Sequence, residues 1–162
     1  MKNVDLLIHD FINKDNLFIQ NAQIDDISAV EKIAYYSFKG YGHYAADNRL
    51  DKEKSNDIYV DWARKSCIDK SVADHMFVAK IGNQVAGFLS LKTILENDKS
   101  YGIQHLGAID KEFRNFNVFK LLILTCLKTG IDKKHNWQQT FLLSTNMPVI
   151  RSYIKMGFKI SG

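Results

Sequence analysis

Proline, cysteine and long apolar runs are all scarce in this chain. One proline and nine glycines stand among 162 residues, with no Pro-, Gly- or Ser-rich tract to mark a linker and no repeat at a fixed period. Several domains are therefore not expected; residues 1–162 read as one domain with 1–16 as an N-terminal extension. With 46% hydrophobic residues the chain can bury one substantial core. The two cysteines, Cys67 and Cys126, lack metal-ligand or redox spacing. His43, His75 and His135 show no ligand spacing with each other or with the cysteines, so no metal is expected. Met1-Lys2-Asn3-Val4-Asp5 carries no apolar signal region. The longest apolar run, Leu121 to Leu127, is interrupted by Thr125 and falls short of the roughly 18 to 20 residues that a membrane helix needs. A cytoplasmic protein with reduced thiols and no membrane partner is the expectation.

What is present is a balanced charge and a well-patterned chain. Lys and Arg number 22 against 18 Asp and Glu, a net charge of +4, with an isoelectric point near 9.0. That balance suits an anionic ligand, but the charges are interspersed rather than blocked, which argues against a nucleic-acid arm. Leu17 to Gln20 reads as a first strand, and Ile27, Val30, Ile33 and Ala34 recur at helical spacing after Asp25-Asp26. Asp57 to Ser66 predicts a second amphipathic helix. His75–Ala79 and Gln84–Leu91 predict two strands around the turn Ile81-Gly82-Asn83. Tyr101 to Ile109 follows as a strand, Asn117 to Thr129 as a helix, Gln139 to Ser144 as a strand, and Pro148 to Lys155 as a last helix opened by its proline. The pattern implies an α/β (α+β) fold with a mixed central sheet and helices on both faces.

The most informative stretch is Asn146-Met147-Pro148-Val149-Ile150-Arg151-Ser152-Tyr153-Ile154-Lys155-Met156-Gly157-Phe158. An amphipathic helix capped by Gly157 explains the glycine and the apolar positions, but neither the asparagine nor the tyrosine, which fall on one helix face two turns apart. The stretch resembles the C-terminal motif N-x-x-A-x-R-x-Y-x-K-x-G-F of the GCN5-related N-acetyltransferase (GNAT) superfamily. It agrees at Asn146, Arg151, Tyr153, Lys155, Gly157 and Phe158, with Val149 at the small position. The order of elements follows the same family over roughly residues 17 to 160.

The resemblance implies an acyl-CoA N-acyltransferase using acetyl-CoA. Holding a pyrophosphate calls for free backbone N–H groups at a helix start, and Arg114-Asn115-Phe116-Asn117-Val118-Phe119-Lys120 occupies that place. The family signature there is Q/R-x-x-G-x-G/A, which only Arg114 matches. Asn117 stands for the first glycine and tolerates a left-handed backbone; Phe119 stands for the second small residue. The cradle survives if that ring turns into the core and fails if it turns toward the pyrophosphate. Backbone groups of Gly107, Ala108 and Ile109 would hydrogen-bond the pantetheine arm as an added strand, helped by the small side chains at 107 and 108. Asn146 would bind the same arm.

Acetyl transfer needs a neutral amine, a path for its proton and a donor for the departing thiolate. Tyr153, with a phenol of reference pKa about 10, is expected to supply the donor. His105 is the candidate base, on the face that strand alternation shares among Ile103, His105, Gly107 and Ile109.

For the acceptor, Tyr41, His43, Tyr44 and Arg49, followed by a helix holding Tyr59 and Trp62 and by Ala73-Asp74, are similar to the N-terminal half of bacterial acetyltransferases acting on nucleotide-linked amino sugars, the TDP-fucosamine type among them. The three loop rings would stack on a base or sugar while Arg49 meets a phosphate; they could equally cover an apolar surface. Tyr59 and Trp62, three apart on a helix, fit the core as well. The alternatives are another small amine, a peptide N-terminus, or a non-catalytic GNAT-fold binding module. The family adds a further strand after Gly-Phe, whereas this sequence stops at Lys159-Ile160-Ser161-Gly162. Either the chain is truncated, or a partner, such as a second copy in a homodimer, covers the exposed edge.

Overall fold

The computed structural model describes residues 16–40, 49, 51–114 and 116–161. Apolar alternation and helical periodicity lay down nine regular elements there: β1 (Leu17–Asn21), α1 (Ile27–Phe38), α2 (Lys52–Ile68), β2 (His75–Ile81), β3 (Gln84–Glu96), β4 (Lys99–Ile109), α3 (Val118–Asp132), β5 (Trp137–Thr140) and α4 (Met147–Lys155). The five strands lie in sequence order. The first three pairings are antiparallel and β4–β5 is parallel. The parallel step follows from α3, because two parallel neighbours need a crossover long enough to return the chain to the same end of the sheet.

Each face of the sheet is covered. Val30, Ile33 and Ala34 of α1, with Tyr59 and Ala63 of α2, pack on Met76, Val78, Phe88, Leu106 and Ala108. On the other face, Leu121, Leu122 and Cys126 of α3, with Tyr153 of α4, pack on Phe77, Ala79, Leu89 and Leu91. Each aliphatic side chain so buried is worth about 1.5–3 kcal/mol, and this is why the strands alternate as they do. No helix among the described residues is long and apolar enough to cross a membrane.

Several boundaries differ from the sequence expectation, most by one or two residues, and four of them are informative. Helix α2 begins at Lys52 rather than Asp57, because Asp51 accepts the Lys54 N–H at 3.0 Å and caps a polar first turn that apolar periodicity cannot register. Helix α3 continues past Thr129 to Asp132. The β3–β4 hairpin extends past Leu91 to Glu96 and closes at Asn97 (φ 48°) and Asp98 (φ 61°), the residue types that accept this left-handed turn. Strand β5 is Trp137–Thr140 rather than 139–144; the apolar Phe141-Leu142-Leu143 that suggested a strand lies beyond the last paired residue.

A bulge interrupts β4. Gln104 stands opposite Leu91 and Gly107 opposite Leu89, so His105 and Leu106 together face Ser90. The Leu106 N–H, displaced from a backbone partner, donates to Ser90 Oγ at 3.0 Å. Such an extra residue turns the side chains that follow onto the opposite faces.

Candidate functional site

Strands β4 and β5 pair from Tyr101↔Trp137 to Gln104↔Thr140 and no further. At the last step the Thr140 hydroxyl donates to the Gln104 carbonyl at 2.9 Å, and a side chain thus takes a backbone acceptor at the point where the ladder ends. Beyond it β4 runs on to Ile109 while residues 141–143 leave the sheet. A cavity of about 300 Å³ fills the gap. Gln104, His105 and Gly107 line it from β4, Phe119 from α3, Asn146, Val149 and Tyr153 from the start and body of α4, and Phe38, Tyr59 and Trp62 from α1 and α2.

The cavity thus brings together five of the expected cofactor and catalytic residues, His105, Gly107, Phe119, Asn146 and Tyr153, with Tyr59 and Trp62 beside them. The others stand elsewhere. Ala108 is buried in the α1–α2 core, while Ile109 and Val118 pack under α3. Arg114 and Phe116 are exposed beside the start of α3, and Lys120 is half-buried in its first turn. Arg49 is exposed and does not line the cavity. Tyr41, His43, Tyr44 and Asn115 lie outside the described residues.

The bulge corrects the expected placing of His105. Gly107 and Ile109 face α3, but His105 precedes the extra residue and faces the other way, its ring 6.0 Å from that of Trp62. Burial, helped by Lys92, holds the imidazole below its ordinary pKa, so at neutral pH it is a neutral ring with a free lone pair. Gly107 has a structural reason of its own: a Cβ there would stand 2.6 Å from Leu89 Cδ1 and 3.2 Å from the Phe88 carbonyl. Cross-strand packing at the bulge thus gives a reason for the glycine beside any close approach of a ligand.

Tyr153 is buried, 3% exposed, and its hydroxyl donates to Gln104 Oε1 at 2.8 Å. Gln104 Nε2 donates to Gln138 Oε1 at 2.8 Å, and Gln138 Nε2 to the Cys126 carbonyl at 2.6 Å. Burial, with the Cys126 thiol adding to it, pushes the phenol well above its ordinary pKa, which keeps it protonated. Sequence reasoning passed over Gln104 and Gln138. The available signal was a glutamine in the core-facing middle of a strand, next to Ile103, since a fully buried amide needs partners for both of its ends.

At the start of α3, Asn117 takes the left-handed conformation (φ 57°, ψ 14°) that a glycine would adopt without cost. The first N–H groups of the helix that follows have no intrahelical acceptor. Phe119 packs into the core, edge-on to Tyr153 with ring centroids 5.7 Å apart, so its bulk lies on the cavity wall rather than over the helix end. Asn146, at the N-cap of α4, makes no side-chain capping bond and lines the cavity mouth. Gly157 (φ 92°) ends α4 where the Phe158 N–H returns to the Tyr153 carbonyl, the capping geometry that fixes Tyr153 in the last turn.

No family model matches the chain, and no curated protein matches it in sequence. Solved structures match it in fold. A possible acetyltransferase from Clostridium difficile 630 superposes with a TM-score of 0.69 at 16% identity, covering 90% of this chain and 92% of its own. The aminoglycoside N-acetyltransferase AAC(6')-Iy, solved with CoA, gives 0.68 at 13% identity, covering 93% and 92%. Ard1 from Thermoplasma volcanium gives 0.62 at 20% identity, covering 90% and 84%. At these identities the likeness is one of fold: the mixed sheet with helices on both faces is the arrangement of these acetyltransferase structures.

Proposed function

We propose that this chain is an acetyl-CoA-dependent N-acetyltransferase that acetylates a primary amine by direct attack in a ternary complex. The observation that carries the reading is the parting of β4 from β5 at Gln104 and Thr140, with a neutral imidazole and a protonated phenol on the walls of the gap. The fold it shares with acetyltransferases, one of them solved with CoA, supports the same reading. The pantetheine arm would enter the gap beside the free edge of β4, with Asn146 at the mouth. The pyrophosphate would rest on the N–H groups that follow Asn117, with Arg114 and Lys120 close in sequence.

The amine nitrogen attacks the thioester carbon, the C–S bond breaks, and the amide forms. His105 takes the proton lost from nitrogen and releases it to solvent, Tyr153 gives its proton to the leaving sulfur so that CoA departs as a thiol, and the phenol takes a proton back from solvent before the next turnover. An apolar wall disfavours the ammonium form of the acceptor, which helps the amine arrive uncharged.

For the acceptor we favour a nucleotide-linked amino sugar. Phe38, Tyr59 and Trp62 line the α1–α2 side of the cavity and suit the face of a sugar ring, and Tyr41, His43, Tyr44 and Arg49 follow α1 in the sequence. A homodimer covering the edge of β5 and a cytoplasmic location fit the exposed Trp137 and the two free thiols.

The test is calorimetric titration with acetyl-CoA, repeated with Asn117→Asp, followed by a screen of amines for release of CoA thiol. Micromolar binding weakened by the added carboxylate, and turnover on an amino sugar nucleotide, support the reading. Turnover on a different amine keeps the activity and replaces the acceptor. Failure to bind acetyl-CoA at millimolar concentration leaves a binding module with this fold.

A further inference from the structure

The hydrogen bonds behind Tyr153 have a fixed direction. The Cys126 carbonyl can only accept, so Gln138 must present its Nε2 there at 2.6 Å. Its Oε1 then accepts from Gln104 Nε2. Gln104 therefore turns its Oε1 to Tyr153, and the phenol has no choice but to donate. Two further features serve this row. Gly130 lies in the last turn of α3, where a Cβ would stand 2.1 Å from Gln138 Nε2; the missing side chain is what lets the amide reach the helix backbone. Thr140 holds the Gln104 backbone from the other side. Gln104 itself is fully buried, where an unpaired amide would cost roughly 1–3 kcal/mol.

We propose that Gln104 and Gln138 are positioning residues that park the Tyr153 hydroxyl on an amide oxygen until negative charge appears in the cavity. The inference rests on the acetyl-transfer reading of this site. A thioester sulfur is a weak acceptor and does not draw the O–H away from the Gln104 side-chain carbonyl. A thiolate is a charged acceptor and does. The hydroxyl swings only as the C–S bond breaks, so its interaction with sulfur belongs to the transition state and not to bound acetyl-CoA. The parked bond also keeps the proton on the phenol, because a phenolate would face the lone pairs of Gln104 Oε1.

The substitution Gln104→Glu separates this from a merely structural role. While the introduced carboxyl is protonated it reproduces the row, its carbonyl accepting from Tyr153 and its hydroxyl donating to Gln138 Oε1. Once ionised it cannot donate, and the row breaks. The ionisable groups packed around the row are Tyr153 on α4 and the Cys126 thiol on α3, both raised above their ordinary values, His135 beside Gly130 and Gly102 at the Gln138 end, its imidazole lowered by burial, and His105 next along β4 on the opposite face. Among the described residues, no lysine, arginine or carboxylate lines the cavity.

The experiment uses the full chain carrying 3-fluorotyrosine, with the Tyr153 fluorine resonance assigned by its loss in Tyr153→Phe. Expected is a Tyr153 resonance that moves in Gln104→Met, in Gln138→Met and in the remote Gly130→Ala, and that titrates with pH in Gln104→Glu. In turnover, Gln104→Met lowers kcat about tenfold to a hundredfold with KM for acetyl-CoA unchanged, and adds nothing to Tyr153→Phe. Gln104→Glu retains activity in acid and loses it as pH rises, in step with its fluorine titration. If Gln104→Met does not fold, Gln138→Met and Gly130→Ala carry the same test. A Tyr153 resonance unmoved by Gln138→Met and Gly130→Ala overturns the proposal, as does an unchanged kcat in both. A resonance that moves in these variants while the wild type turns over no amine supports the row and defeats the acetyl-transfer reading instead.

Discussion

The Thr140 hydroxyl donates to the Gln104 carbonyl at the last paired step of β4 and β5, at the point where the cavity opens. One strand partner is held and the next is released, so a side-chain bond closes the ladder at the cavity.

Thr140→Val keeps the shape and removes the donor. The expected cost is about 1 kcal/mol of stability, read as a lower denaturant midpoint at constant slope. Acetyl-CoA affinity is expected to fall by several-fold, since the two walls of the arm's channel lose their common anchor. Unchanged affinity with lowered stability would place the bond outside the binding path.

Asn117 separates backbone conformation from ligand charge. Asn117→Gly relieves a left-handed non-glycine residue and is expected to leave stability level or raise it by up to ~1 kcal/mol, whereas Asn117→Ala costs about that much. Acetyl-CoA binding by Asn117→Gly should match the wild type. An equal loss of binding in Gly and Asp variants would show that the asparagine side chain, not the N–H groups behind it, holds the ligand.

Gly107→Ala tests whether packing alone demands the glycine. The new methyl group would stand 2.6 Å from Leu89 Cδ1, so overpacking of roughly 1–3 kcal/mol is expected. Shortening Leu89 to alanine in the same chain should recover part of it. No recovery would mean that the backbone contact with Phe88 sets the limit.

Asp26 ties the start of α1 to the sheet. It is 4% exposed, accepts from Lys80 Nζ at 2.6 Å, and takes the N–H of Gln23 at 3.0 Å and Gln20 Nε2 at 3.2 Å. Burial raises its pKa, but the bond from Lys80, then those from Gln23 and Gln20, outweigh it, and the carboxyl sits below its ordinary value. A depressed folded pKa contributes stability that is complete above the unfolded value of about 3.9 and is lost as pH falls through the lower folded one. Asp26→Asn is therefore expected to cost roughly 2 kcal/mol at neutral pH, with the gap between variant and wild type closing only in acid. A gap that persists well below the unfolded value would assign the loss to packing.

How much of this was legible beforehand depends on the range of the interactions. The Asn146–Tyr153 helix could be read because its spacing is local: N-cap, proline, apolar face and Gly157 all lie within one short segment. The bulge at His105 and Leu106 could not, since it exists only as a mismatch against Ser90 on another strand, and strand alternation read alone put His105 on the wrong face. Apolarity likewise misplaced β5: Phe141-Leu142-Leu143 has the composition of a strand, yet the residues that pair with β4 are Trp137-Gln138-Gln139-Thr140. Of those two glutamines, Gln138 is polar because it serves the Tyr153 row, a reason that emerges only when α3, β4, β5 and α4 are in place.

The corrected face of His105 sharpens what its removal should do. Lying against Trp62 on the α1–α2 side, it is placed, under the proposed acetyl transfer, to meet the acceptor rather than the CoA arm. Since burial depresses its pKa, the neutral form persists to below about pH 6.5, and the acid limb of kcat is expected there rather than near neutrality. His105→Gln keeps the ring's volume in part and removes the base. It should lower kcat by about a hundredfold and leave acetyl-CoA affinity as it was, with the acid limb gone from the profile. Trp62→Ala should instead raise KM for the acceptor and let the imidazole return toward its ordinary pKa, moving the limb upward. Loss of acetyl-CoA affinity in His105→Gln would put the imidazole on the CoA side of the cavity and take the role of base away from it.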